Sequence, residues 1–391
     1  MTIISRSIIV LSSFGLVVMS TQLFGSEGRG IIALIIANIS IIVILNNSCA
    51  GSTVIFHAPK IQMAQIIKTS WIGSFFISLI GSMLFILWGN PEWFWHMFTI
   101  SFLMAVNNSM AFWWLGKKRI KTYNLLTLAP SVIIFCLLGA LLLTTHTVEL
   151  NHFFYAYYVA YAVVILAALP KLLKMAEKTS SLPKFQEVKS IFTYGIKNEF
   201  NYFIQFINYR LSYFFISFML GAESLGVFSV AIAITESIWI ISKSLSSLHF
   251  THVINSNNQQ DNIETTTYQA KLSFVVSLIA VFALALVPTH VFTFIFGQGF
   301  EQVKLLTLYL IPGIIFIAVS NLHGHYFAAI NRLDILRNKS LLGLVASVIF
   351  LPLLLRPYEL VGACIALNIS YITSSVFLFV AFKNAKKTTK Y

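Results

Sequence analysis

The chain has 391 residues, of which 58% are hydrophobic and only 10% charged, with a mean hydropathy of +0.82. A soluble domain carries about 25% charged residues, so these values exclude a soluble enzyme and describe an integral membrane protein. The formal net charge of +13 lies mostly in short segments between apolar runs, where it is a topology signal and not a surface for nucleic acid.

Taken in order, the chain opens with Arg6 and an apolar stretch of spanning length that lacks a small-x-small cleavage site, which predicts an uncleaved first span. Runs long enough for a bilayer core are predicted at 7–23, 31–56, 69–88, 94–114, 125–144, 153–169, 198–220, 227–250, 272–289, 305–330, 341–355 and 361–382. The eleventh is short and is expected to begin before Ser340 or to tilt little. With the N-terminus inside, the inner segments hold 21 of the 26 Lys and Arg, the outer loops hold Arg29, Lys304 and Arg356, and Arg210 and Lys243 fall within spans. This bias supports the count and places both termini in the cytoplasm of a multi-pass protein of the cytoplasmic membrane. The longest basic connection, Pro170 to Ser190, falls at the midpoint. It predicts a six-helix half over 1–170, a cytoplasmic linker over 171–190 and a second six-helix half over 191–391.

An internal repeat agrees with that division. Gly25 to Ser48 aligns without a gap with Gly221 to Ser244, at an offset of 196 residues. Gly25/Gly221, Glu27/Glu223, Gly30/Gly226, Ala37/Ala233, Ile42/Ile238, Ile44/Ile240 and Ser48/Ser244 are identical pairs. In each copy a small, acidic, Gly-containing turn opens a long apolar run. Six spans separate the copies, so both have the same orientation, and transporters built this way place the substrate path between their halves. The predicted fold is an all-α polytopic membrane protein, with about 12 transmembrane helices in two pseudo-symmetric six-helix halves around a central cavity.

Ionisable groups inside a span need a partner, a water-filled cavity or a function, because each costs about 2.5–3.5 kcal/mol on insertion scales. Arg210 in span seven and Glu236 and Lys243 in span eight qualify. Helical spacing aligns Ser229, Glu236, Lys243 and Ser247 on one stripe, and the matching first-half positions are Ser40 and Asn47. In span seven, Lys197, Asn201, Gln205, Asn208 and Ser212 form one polar stripe, and Glu199, Arg210 and Tyr213 lie on another. Such a helix touches protein or water along much of its circumference. Arg210 and Glu236, at similar depth, pair, line a cavity or do both, and Lys243 either lines it or snorkels to the interface.

Other features carry less chemistry. His323 and His325 are two apart, which points their rings to opposite sides of a helix and disfavours a metal site. Trp71, Trp88, Trp93, Trp95, Trp113 and Trp114 fall at predicted span ends and are expected to form an aromatic belt. Cys49, Cys136 and Cys364 are scattered in apolar runs and predict packing residues rather than disulfides. Nucleophile-elbow, nucleotide-binding and zinc-protease motifs are absent from the sequence, so no enzyme activity and no cofactor are predicted. Transport would draw on an ion or substrate gradient.

The run NYRLSYFFISFMLGAESLGVFSVAIAITESIW, Asn208 to Trp239, resembles the seventh and eighth helices of the O-antigen and polysaccharide flippases of the multidrug/oligosaccharidyl-lipid/polysaccharide exporter superfamily. EGRG at Glu27 to Gly30 and FGQGFEQVKLLTLYLIPG at Phe296 to Gly313 agree with it. Members of that family often carry an acid after the Arg-Leu of span seven, where this chain has Ser212, and a Pro after span eight, where it has LHFTHV. The resemblance implies translocation of polyprenyl-diphosphate-linked oligosaccharide units for O-antigen, capsule or exopolysaccharide synthesis, by rocking of one half against the other. It implies a diphosphate site at Arg210 and Lys243, sugar-binding amides at Asn201, Gln205, Asn208 and Asn47, and Glu236 as a coupling or ion-pair residue. Membrane lipid, a polymerase and glycosyltransferases are the implied partners. The alternatives are a cation-coupled exporter of small amphiphiles, which would want acidic cavity residues, a glycan polymerase or ligase, which would need a large outer loop, and a structural scaffold.

Overall fold

The computed structural model describes residues 2–87, 90–144, 148–175, 183–256 and 258–388, with all side chains there except those of 2–4, 6, 175, 239–241, 243–245, 247, 248 and 388. Among the described residues the regular structure is entirely helical, in keeping with the predicted class. The helices are α1 (Thr2–Ala50), α2 (Ser52–His57), α3 (Met63–Ile86), α4 (Phe94–Gly116), α5 (Ile120–Thr144), α6 (Asn151–Met175), α7 (Phe185–Asn255), α8 (Gln259–Leu286), α9 (Thr289–Phe296), α10 (Val303–Ala329) and α11 (Leu333–Thr388), with a 3-10 turn at Pro91–Trp93 before α4.

Among the described residues, eight helical stretches are long and apolar enough to cross a membrane. Three of them, in α1, α7 and α11, run past 50 residues and are each broken at one residue: Gly25, Gly221 and Glu359. Counting both arms of each broken helix and adding α4 (23 residues), which is long enough to span, gives twelve segments of spanning length among the described residues, six from α1 to α6 and six from α7 to α11. Gly25 (φ 64°) and Gly221 (φ 87°) are equivalent positions of the repeat, and both adopt backbone that a side chain resists. The turn at the start of each copy is therefore a single residue. Arg29 and Arg356, expected in outer loops, lie in helix beside these breaks. The short eleventh run is extended backwards, since α11 begins at Leu333. Helix also covers much of the expected linker: α6 continues to Met175 and α7 begins at Phe185, while residues 176–182 lie outside the description.

The chain forms two compact units, one of Met1–Phe24 with Ile32–Phe203, the other of Gly25–Ile31 with Ile204–Tyr391. In the first, α3 carries Ser70, Ser74, Ser78 and Ser82 at steps of four, all buried. Small residues on one face let backbones approach closely, and Ser70, Ser74 and Ser78 find partners on α1, whereas the buried Ser82 Oγ has none among the described residues. Asn46 donates to Ser78 Oγ (2.9 Å), and Ser70 Oγ donates to the Cys49 carbonyl (2.6 Å). The start of α7 packs on the end of α1 and on α2: Gly195 lies against the Ser48 carbonyl, Thr53 Oγ1 donates to the Ile191 carbonyl (3.0 Å), and Ser52 donates to Glu199 Oε1 (3.3 Å). The core below is built around Met110, Trp113 and Trp114, all but inaccessible. Trp113 and Trp114 are thus core residues and not part of a lipid-facing belt, with Lys117 over the first ring and Arg119 and Lys171 over the second. Trp95, two-thirds exposed, keeps the expected place. Trp88 lies outside the described residues.

The second unit is held by polar groups that repair helix defects. Pro312 lies inside α10, where it removes the amide that would bond the Leu308 carbonyl and crowds that turn. Asn368 of α11 braces the adjacent turn: its Oδ1 accepts from Gly313 N (2.9 Å) and its Nδ2 donates to the Tyr309 carbonyl (2.6 Å). Ser273 of α8 donates to the Ala318 carbonyl of α10 (3.0 Å), and Ser375 of α11 donates to Ser320 of α10 (3.0 Å). Beyond the break at Glu359, Gly362 rests on the Leu354 carbonyl, so the two arms of α11 meet backbone to backbone. In the same unit, residues 25–31 of α1 lie on the turn of α7: Gly30 abuts the Ala222 carbonyl and Gly226 abuts the Ser26 carbonyl. The two contacts are reciprocal, since Ser26 and Ala222, like Gly30 and Gly226, are equivalent positions of the repeat, so these two turns meet about a local two-fold axis.

Candidate functional site

The break at Gly221 folds α7 back on itself and brings Arg210, on the arm before it, beside Glu236, on the arm after it. The guanidinium and carboxylate meet fork to fork, Nη1 to Oε1 at 2.6 Å and Nη2 to Oε2 at 3.0 Å. This bidentate geometry satisfies four polar atoms at once, which a single contact in a span could not do. The ion pair, left open by the sequence either alone or together with a cavity, is present. It is not sealed: the side chains are 22% and 24% accessible.

Aromatic rings surround the pair. The Arg210 guanidinium lies over the Tyr213 ring, 5.1 Å from its centre, a cation–π contact that helps hold the fork in plane. Tyr213 meets Phe228 edge to face (6.2 Å), and Tyr209, one residue before Arg210, meets Tyr371 of α11 in the same way (5.8 Å). Gln205 donates from Nε2 to the Tyr209 hydroxyl (3.0 Å). Arg29 Nε donates to Ser229 Oγ (3.1 Å), and Ser26 donates to Glu223 (3.3 Å), so polar contacts run on from this cluster to the turn of the repeat.

The other expected site residues are placed as follows. Asn208, expected among the sugar-binding amides, is 2% exposed. Its Oδ1 accepts from Ser347 and Ser370 of α11, both at 3.0 Å, and its Nδ2 faces Gly343. It is a packing group, because an amide oxygen with both lone pairs occupied and no accessible surface has nothing to offer a sugar. Asn47 lies in the first unit and accepts from Asn108 Nδ2 (3.3 Å). Asn201, also in the first unit, is half-buried. The Lys243 side chain lies outside the description.

Two contributors were not legible in the sequence as site residues: Tyr209 and Tyr371. His323 packs against Phe379 and Phe382 (5.1 and 4.5 Å), whereas His325 meets Phe250 (6.0 Å). Among the described residues no group of three or more His, Cys, Asp and Glu is placed to hold a metal ion.

No protein-family model matches this chain, and no curated protein matches its sequence. Solved structures do match its fold. One is an inward-facing multidrug resistance MATE family transporter of the MOP superfamily, matched over 100% of this chain and 99% of that one at 13% identity with a TM-score of 0.73. Another is the lipid II flippase MurJ in an inward closed conformation, over 99% of this chain and 90% of that one at 11% identity with a TM-score of 0.74. A eukaryotic MATE transporter, AtDTX14, matches over 98% and 96% at 15% identity with a TM-score of 0.66. The chain therefore has the fold of the MOP-superfamily transporters, a multi-pass membrane architecture of twelve helices in two halves.

Proposed function

We propose that this protein translocates a polyprenyl-diphosphate-linked oligosaccharide from the inner to the outer leaflet of a bacterial cytoplasmic membrane, by alternating access and for O-antigen, capsule or exopolysaccharide synthesis. The observation that carries the reading is the Arg210–Glu236 fork. With Glu236 neutralised by Arg210, Lys243, seven residues further on, is the one charge of predicted span eight left over, and it is a cation. An exporter of organic cations would need the opposite balance. A fold that in one matched protein serves a lipid II flippase suits a substrate whose tail stays in the bilayer while its polar part passes through protein.

On this reading Lys243 attracts the diphosphate, and Arg210, accessible and preformed as a fork, exchanges Glu236 for a phosphate oxygen pair when the substrate arrives. Glu236, once released, is free to take up a coupling cation. Gln205, Asn201 and Asn47 supply amides for sugar hydroxyls. Glycosyltransferases would act before this step and a polymerase after it.

The test is the sidedness of lipid-linked oligosaccharide in cells lacking the protein, probed with a membrane-impermeant sugar-reactive reagent. Units trapped on the cytoplasmic face, and released by wild-type protein but not by Lys243→Gln, are expected. Units that reach the outer face unpolymerised would instead support the polymerase or ligase alternative. Normal surface glycan with lost efflux of cationic amphiphiles would support the multidrug exporter.

A further inference from the structure

At the end of the second unit where α11 finishes in Lys383, Lys386 and Lys387, α8, α10 and α11 diverge and leave a groove of about 640 Å³. Its size falls within the range of small-molecule sites. Its walls are of two kinds. Phe274 of α8, Val319 of α10 and Phe379 of α11 make an apolar floor, and Lys271, Lys383 and Lys386 stand on the rim. Helical spacing explains the arrangement, since Lys271 is three residues from Phe274, and Phe379, Lys383 and Lys386 follow at steps of four and three.

Like charges gathered on one rim repel, and a counter-charge is missing: no carboxylate lines the groove, and among the described residues none of the three lysines has an ion-pair partner. Lys271 and Lys383 are exposed, and so are Phe274 and Val275, 44% and 50%, on a helix long and apolar enough to face lipid. The groove thus combines an apolar trough open to the bilayer core with a cationic mouth at the level of the headgroups. The excess of Lys and Arg at this end assigns it to the cytoplasmic leaflet, which carries the anionic lipids.

We propose that this groove binds one anionic phospholipid, its phosphate held by Lys271, Lys383 and Lys386 and an acyl chain lying over Phe274, Val319 and Phe379. The site is separate from the Arg210–Glu236 cluster and does not depend on what that cluster transports. Lipid bound there would tie α8 to the end of α11.

Native mass spectrometry of the full-length protein in detergent, titrated with dioleoyl phosphatidylglycerol or dioleoyl phosphatidylcholine, tests the proposal. Wild-type protein is expected to retain phosphatidylglycerol about tenfold better than phosphatidylcholine, and Lys271→Gln/Lys383→Gln/Lys386→Gln to remove that preference. Val275→Trp, which fills the groove and leaves the lysines intact, is expected to reduce retention as strongly. Lys117→Gln/Lys118→Gln/Lys121→Gln, in the first unit, is expected to retain the lipid as wild type does. Equal retention of the two lipids by wild type, or unchanged phosphatidylglycerol retention in the triple lysine or Val275→Trp variant, overturns the proposal. Displacement of the lipid by inorganic phosphate at equal concentration overturns it as well, by showing a site for the free anion.

Discussion

Gly30 lies directly on the main-chain carbonyl of Ala222, with no room for a β-carbon between them, and Gly226 lies in the same way on the carbonyl of Ser26. The contact is backbone to backbone, so relief would require helix movement rather than a side-chain adjustment. Gly30→Ala and Gly226→Ala are each expected to destabilise the protein by about 3 kcal/mol, the upper end of the range for overpacking. Gly139→Ala is the control: its nearest neighbour is the flexible end of Met19 at 3.4 Å, and replacing a helical Gly there should be neutral or stabilising. Thermal unfolding in detergent would rank the three, and equal melting points would show that the crossing is not tight.

The Arg210–Glu236 pair makes a prediction that separates structure from transport. Removing one partner, as in Arg210→Met, leaves an uncompensated charge and is expected to cost about 2–3 kcal/mol, the solvent accessibility of the pair keeping the penalty below that of a sealed one. Arg210→Met/Glu236→Leu should recover most of that stability. If the fork also holds a phosphate, the double variant will fold and fail to translocate. Full translocation by the double variant would reduce the pair to a structural role.

Asn208 is predicted to matter for folding alone. Asn208→Leu leaves the buried Ser347 hydroxyl without its acceptor, while Ser370 keeps the Gly343 carbonyl (2.8 Å), at about 1–3 kcal/mol. Translocation per folded molecule, measured with the yield of detergent-stable protein as the denominator, should not change. A drop in the normalised rate at unchanged stability would return Asn208 to the substrate site.

Asn368 should behave as part of α10 even though it belongs to α11. Asn368→Ala removes the acceptor of the part-buried Gly313 amide and the donor to the solvent-accessible Tyr309 carbonyl, at about 1 kcal/mol, mostly from the amide. Pro312→Ala introduced with it restores the amide that bonds the Leu308 carbonyl and lets the helix tighten around Gly313. The pair of changes should therefore melt closer to wild type than Asn368→Ala alone.

These sites show what the sequence disclosed and what it withheld. The equivalence of Gly25 and Gly221 was visible because both positions demand positive φ, a local requirement that leaves a mark on residue type. Arg210 and Glu236 could be matched by depth, since a charge in a span needs company and few candidates are available. The Asn208 acceptor could not be found this way, because its donors are 139 and 162 residues distant and serine is common in these helices. Spacing along one helix shows which residues share a face, but not which neighbour covers it. Trp113 and Trp114 illustrate the same gap: their place at a span end suits a lipid-facing belt equally well, and only the packing of α2, α3 and α6 residues around them puts them inside.

The one-residue breaks also bear on how such a chain can change length. A single residue inserted just after Gly221 would rotate all that follows in α7 by about 100°. Glu236 would swing away from Arg210, and Gly226 from the Ser26 carbonyl, with no intervening loop to absorb the slip. Deletions there would do the same in the opposite sense. Homologous chains should therefore keep the 26-residue interval between the arginine and the glutamate fixed even as the residues between them drift, and confine their gaps to places such as the neighbourhood of Asn258, where one helix ends before the next begins.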